Sequence, residues 1–215
     1  ITGPNVASTI NGGTGDDNLT GGSAADTIDG GDGADSLTGG SGNDVYLFDT
    51  GDVDSGESIT EASSGGTDAV AIVTTTDFTN MTAASFNEIE EIRFAGANQT
   101  GTFTGVQLTG ETLSLTETAS GTSNLIINVA SGTTATFANM TASTFTSGSD
   151  TITINGTTGN ETITGPNVAS TINGGTGDDN LTGGSAVDII AGGDGVDTID
   201  GGDGADSLTG GSGND

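Results

Sequence analysis

Residues 12–47 read GGTGDDNLT, GGSAADTID, GGDGADSLT and GGSGNDVYL, four nine-residue units laid end to end without a gap. Their apolar positions fix the register: Leu19, Ile28, Leu37 and Tyr46 are nine residues apart, and the same count backwards lands on Ile10 and Ile1. Asp17, Asp26, Asp35 and Asp44 stand two places before each apolar residue. Paired glycines followed by a small residue and another glycine allow backbone with φ > 0, so the first six positions of a unit suit a tight turn. The last three, one apolar residue between small polar ones, suit a very short strand. One unit then makes half a coil and two make a rung of eighteen residues. Rungs stack at the strand spacing of roughly 4.8 Å, which sets Asp17 beside Asp35 and Asp26 beside Asp44. Carboxylates brought so close repel unless a hard divalent cation lies between them. The competing reading is a metal-free, solvated acidic loop, but a disordered linker has no reason to keep an apolar ladder.

The units resemble the calcium-binding nonapeptide of RTX proteins, G-G-x-G-x-D-x-U-x. The resemblance implies an all-β fold: parallel β-roll or β-solenoid blocks that bind several Ca2+ ions. It implies turn carbonyls as further ligands, here Gly12 and Thr14 from one turn and Gly31 and Gly33 from the next. Calcium takes 6 to 8 oxygens at about 2.3 to 2.6 Å, which such turns can supply.

The register returns late in the chain. ITGPNVASTINGGTGDDNLTGGSA, residues 1–24, recurs unchanged at 163–186. The second ladder is Ile163, Ile172, Leu181, Ile190, Ile199 and Leu208, with acids at Asp179, Asp188, Asp197, Asp206 and Asp215. Residues 1–48 therefore form a first RTX block, and residues 156–215 a second that opens the next tandem repeat. The chain starts and stops in mid-pattern, so a piece of a longer array is expected.

Between the blocks, residues 49–70 form an acidic transition. Asp49, Asp52, Asp54 and Glu57 there are candidates for another calcium, against the reading of a solvated turn, and Gly65-Gly66-Thr67-Asp68 resembles a shortened RTX turn. Residues 71–155 are rich in Thr and Ser and lack glycine pairs. Their alternation, in TFTGVQLTGETLSLTE and DTITIN, predicts half-buried strands in a β-solenoid or β-sandwich without calcium turns. FNEIEEIRF, residues 86–94, also reads as strand. FTNMTAASF at 78–86 echoes FANMTASTF at 137–145, and its Met and Phe residues read as core.

Composition narrows the function. Thirty acids stand against one base, Arg93, for a formal charge of −29. Such a charge opposes compaction unless counter-ions are bound. It argues against nucleic acid, whose binding needs clustered Lys and Arg, and against an anionic membrane surface. No apolar run is long enough for membrane insertion as a helix, and no N-terminal signal sequence is visible. The absence of His removes Ser-His-Asp and HExxH chemistry. Carboxylates that recur at every turn do not describe the single acid pair of a glycosidase. The glycine turns lack the Lys of a phosphate loop. Without Cys there is neither disulfide nor thiol catalysis.

The expectation is a non-enzymatic, calcium-stabilised repeat of a secreted bacterial cell-surface protein, exported by the type I route that RTX proteins use. It would associate with itself in a surface layer, sheath or filament. Cell-surface polysaccharide is a further expected partner, reached through regions outside this segment. The alternatives are the stalk of a giant adhesin and the accessory tail of a secreted enzyme.

Overall fold

The computed structural model describes residues 1–61, 65–145 and 149–215. Residues 62–64 of the acidic transition and 146–148 of the Thr/Ser-rich segment lie outside the described residues. The chain divides into two compact units. One comprises Ile1–Gly101 with Leu113–Gly121, the other Thr102–Thr112 with Thr122–Asp215.

In the first unit, strands Thr9–Thr14, Thr27–Asp32, Val45–Phe48, Ala69–Ile72, Glu91–Phe94 and Ser114–Glu117 lie side by side and parallel. Asn18–Gly22, Ser36–Gly40 and Ser58–Thr60 form a second parallel sheet. The chain alternates between the two sheets, as an eighteen-residue winding requires: Ile10 pairs with Ile28 and Ile28 with Tyr46 in one, Leu19 with Leu37 in the other. Leu19, Ile28, Leu37 and Tyr46 are fully buried. The apolar ladder is thus one thin column shared by neighbouring rungs, and that sharing lets a chain with 30% hydrophobic residues build a core.

The second unit repeats the plan. Strands Asn124–Asn128, Thr151–Asn155, Thr171–Thr176, Ile189–Gly195 and Ser207–Gly213 are parallel neighbours in one sheet. Thr134–Thr136, Thr162–Thr164, Asn180–Gly184 and Thr198–Gly202 are parallel neighbours in the other. Ile154, Ile172 and Ile190 stack in register, as do Ile163, Leu181 and Ile199. In both units the Thr/Ser-rich strands join the parallel sheets, which decides for a solenoid over a sandwich.

Several expectations are corrected. The strands do not stop after three residues: Asn18–Gly22 continues through its glycine pair, because Gly22 still pairs with Gly40. Ile1 is exposed, so the buried ladder starts at Ile10. Gly105–Leu108, inside an alternating stretch, is one helical turn held by a capping box between Thr104 and Gln107. The box satisfies amides that alternation alone cannot register. Ala83–Phe86 is a 3-10 turn, and only Glu91–Phe94 of the 86–94 stretch is strand.

Rungs outside the glycine blocks are longer: Leu37 pairs with Ile59 and Tyr46 with Val70, steps of 22 and 24 residues. Part of the added length, there and in the 22-residue step from Val70 to Ile92, carries aromatic core. Phe48 meets Phe78 edge-on at 5.2 Å, and Phe78 meets Phe86 at 6.1 Å. The two echoed segments open on the same turn, with the Met81 amide on the Phe78 carbonyl and the Met140 amide on the Phe137 carbonyl, each 2.9 Å, and then diverge into a 3-10 turn in the first and strand Thr141–Ala142 in the second. Both Met side chains are buried, as core residues should be.

Candidate metal centre

Each block aspartate binds the rung before it. Asp17 N–H donates to Asp35 Oδ1 at 2.8 Å, and Asp26 N–H to Asp44 Oδ1 at 2.7 Å. In the second unit the Asp179 amide donates to Asp197, the Asp188 amide to Asp206 and the Asp197 amide to Asp215, at 2.9, 2.9 and 3.1 Å. The stacked acids therefore meet amide to carboxylate. Ser8 and Ser170, which stand where the pattern has aspartate, still donate amide and hydroxyl to Asp26 and Asp188.

These columns continue where the nine-residue count fails. Asp35 N–H donates to Glu57 Oε2, Asp44 N–H to Asp68 Oδ1 and Asp68 N–H to Glu90 Oε2, at 2.8, 2.7 and 2.8 Å. Glu161 N–H donates to Asp179 Oδ1 at 2.7 Å, and Ser123 N–H to Asp150 Oδ1 at 3.0 Å. Sequence reasoning placed Glu57 in a separate acidic loop and missed Glu90 and Asp150, because rungs of variable length hide their register. Of the loop's own acids, Asp52 and Glu57 are buried and Asp49 and Asp54 exposed, and the Asp49 amide donates to Asp52 Oδ2.

One carboxylate oxygen is thus spent on an amide. The other has no hydrogen-bond partner in Asp26, Asp35, Asp44, Asp179 and Asp197, nor does Glu57 Oε1, and all six atoms are buried. Leaving a buried polar atom unsatisfied costs about 1–3 kcal/mol, and more when it is charged. The chain's single base cannot answer them, because Arg93 grips Glu91 through Nε and Nη2 at 2.8 and 2.6 Å. Burial pushes the carboxyls of Asp35, Asp44, Asp68 and Asp179 up; amide hydrogen bonds pull them down, and neighbouring acids push further. Glu57 is pushed up to about 8, chiefly by burial.

The second carboxylate oxygens look into cradles that only a glycine leaves open. A Cβ on Gly12 would lie 2.5 Å from the Gly30 carbonyl oxygen and 2.7 Å from Asp17 Oδ2. Gly21 stands in the same relation to Gly39 and Asp26, and Gly174 to Gly192 and Asp179. The Gly30 carbonyl lies on the same cradle as Asp17. Gly31 and Gly33, at φ +86 and +137, stack over the Gly13 and Gly15 carbonyls, and Thr14 pairs with Asp32. Asp206 is half-buried and Asp215 exposed.

Carboxylate and carbonyl oxygens are hard ligands, and the set contains neither nitrogen nor sulfur, so the residues present fit calcium. Asp17, Asp26, Asp35, Asp44, Asp179, Asp188, Asp197 and Asp206 would hold it with the turn carbonyls. Bound there, the ion supplies the positive charge that the columns lack.

Comparison with known families agrees with this chemistry. The model of the RTX calcium-binding nonapeptide repeat matches four times, over residues 9–52, 155–190, 169–199 and 182–215. No curated protein and no solved structure gives a significant match.

Proposed function

Since this chain is an RTX repeat protein, with calcium-binding nonapeptides over residues 9–52 and 155–215, we propose that it is a non-enzymatic scaffold segment of a secreted bacterial cell-surface protein. It works by staying flexible without calcium and stiffening outside the cell, where its copies associate laterally into a surface layer, sheath or filament. The observation that carries this reading is the acid column: carboxylates in register, each tied to a neighbouring rung, with a buried, unpartnered oxygen at Asp26, Asp35, Asp44, Asp179 and Asp197.

The sequence recurrence at 1–24 and 163–186 supports a tandem scaffold, since a solenoid lengthens by adding whole units without disturbing its neighbours. Extracellular calcium modules bind at about 10⁻⁴ to 10⁻³ M, weak enough to stay empty in the cytosol during type I export and to fill outside. The absence of His and Cys from the sequence removes the commonest catalytic groups and supports a structural role. Cell-surface polysaccharide would be met by regions outside this segment.

Sedimentation and electron microscopy of the purified chain, before and after millimolar calcium, test the proposal. Ordered lateral assemblies on calcium addition are the expected result. Particles that stay monomeric when calcium-loaded would reject self-assembly and favour the stalk of an adhesin.

A further inference from the structure

At the exit of the first block, Asp44, Glu61 and Asp68 bring one carboxylate oxygen each to within 4.8 Å of one another. Asp44 and Asp68 belong to the acid column, but Glu61 does not. It follows strand Ser58–Thr60 and matches no position of the nonapeptide. Asp44 is fully buried, and its Oδ2 has no hydrogen-bond partner. Glu61 Oε1 accepts the Gly39 amide at 3.2 Å and the Tyr46 hydroxyl. A Cβ on Gly39 would collide with Asp44 Oδ2 and Glu61 Oε1, so the glycine keeps a small cradle open between two anionic oxygens.

We propose that Asp44, Glu61 and Asp68 form a three-carboxylate calcium site at the exit of the first block, in which Glu61, from outside the nonapeptide, closes the column where the nine-residue turns end. Three acids here carry a formal charge of −3, and Arg93 is engaged by Glu91. Three charged ligands bind calcium more tightly than a pair, since affinity rises with ligand charge. Magnesium is a poor occupant, because it holds several waters in a tight octahedron and two of these acids are buried. The site also ties strand Val45–Phe48 to the segment after Ser58–Thr60, so the irregular rung that follows the block is locked by metal. This inference does not depend on how copies of the chain associate.

Tyr46 supplies the probe. It is the only Tyr in a chain without Trp, and its hydroxyl touches a proposed ligand. Terbium, which replaces calcium among oxygen ligands, should emit when Tyr46 is excited, and calcium should compete that emission away. Glu61→Gln keeps an oxygen for Tyr46 and Gly39 but removes the charge. It should lower the emission several-fold and remove one bound calcium, with the circular dichroism of the calcium form unchanged. Asp203→Asn, an exposed acid in the other unit, removes the same charge and should leave the emission as it was. Absence of Tyr46-sensitised emission in the wild-type chain at saturating terbium would overturn the proposal without recourse to any variant. So would a Glu61→Gln emission equal to wild type.

Discussion

Asp179→Asn separates the two roles of a column aspartate. Asp179 is 2 % exposed, accepts the Glu161 amide through Oδ1 at 2.7 Å, donates its own amide to Asp197, and leaves Oδ2 unpartnered. Asparagine keeps the shape and the acceptor for Glu161, but it removes the charge and puts an NH2 where Oδ2 stands. With calcium present, a charge-assisted hydrogen bond becomes a neutral one, a loss of about 1 kcal/mol. Weakening a metal site by 10–100-fold, the range typical of even outer-shell changes, adds roughly 1.4–2.7 kcal/mol. The variant should therefore lose about 2–4 kcal/mol in millimolar calcium. In chelator the sign changes, because the wild type then buries an uncompensated charge that the variant does not carry, so the variant should equal or exceed the wild type. Urea unfolding in calcium, followed by circular dichroism, reads the loss, and the residual β signal in chelator reads the reversal. A variant as stable as the wild type in calcium, or one with less β signal than the wild type in chelator, would refute the idea that the buried oxygen serves a cation.

Acid should partly replace calcium. Asp35, Asp44, Asp68 and Asp179 titrate above the ordinary 3.8 when folded, so their contribution is full below about 3.8 and is lost as pH rises through the folded values. For Glu57 the window runs from 4.5 to about 8. In chelator, lowering the pH from 8 towards 4 should raise the β signal in circular dichroism; a signal that falls would contradict the shifts. Gly13 and Gly31 both have positive φ, at +103 and +86, but a Cβ on Gly13 meets nothing within 4 Å while one on Gly31 strikes the Gly13 carbonyl. Gly13→Ala should cost roughly the 1–2 kcal/mol of left-handed backbone and Gly31→Ala clearly more, as read by thermal melts in calcium. Leu181→Ala, at a fully buried ladder position, should cost about 2–5 kcal/mol, whereas exposed Ile1→Ala should stay within about 0.5 kcal/mol.

The regular half of the molecule was legible because a single spacing carries three kinds of information. Nine residues between Leu19, Ile28 and Leu37 give the buried column, the alternation of sheets and the stacking of aspartates together. Where the spacing loosens, legibility fails for a physical reason. The 24 residues from Tyr46 to Val70 and the 22 from Val70 to Ile92 take up aromatic packing of Phe48, Phe78 and Phe86, which no period reports. Glu57 and Glu90 therefore keep the role of a column acid at positions that counting cannot find. Gly105–Leu108 is helical through its capping box, a local hydrogen-bond arrangement that overrides alternation. Glu61 was invisible to the pattern because it reaches Asp44 and Asp68 from outside the repeat altogether.

Far-ultraviolet circular dichroism of the chain, titrated from excess chelator into calcium and separately into magnesium, bears most directly on calcium as the counter-charge of the acid columns. The β signal of the glycine blocks should be missing at neutral pH without calcium, rise over about 10⁻⁴ to 10⁻³ M calcium, and stay low in magnesium. A β signal already complete in chelator would contradict it.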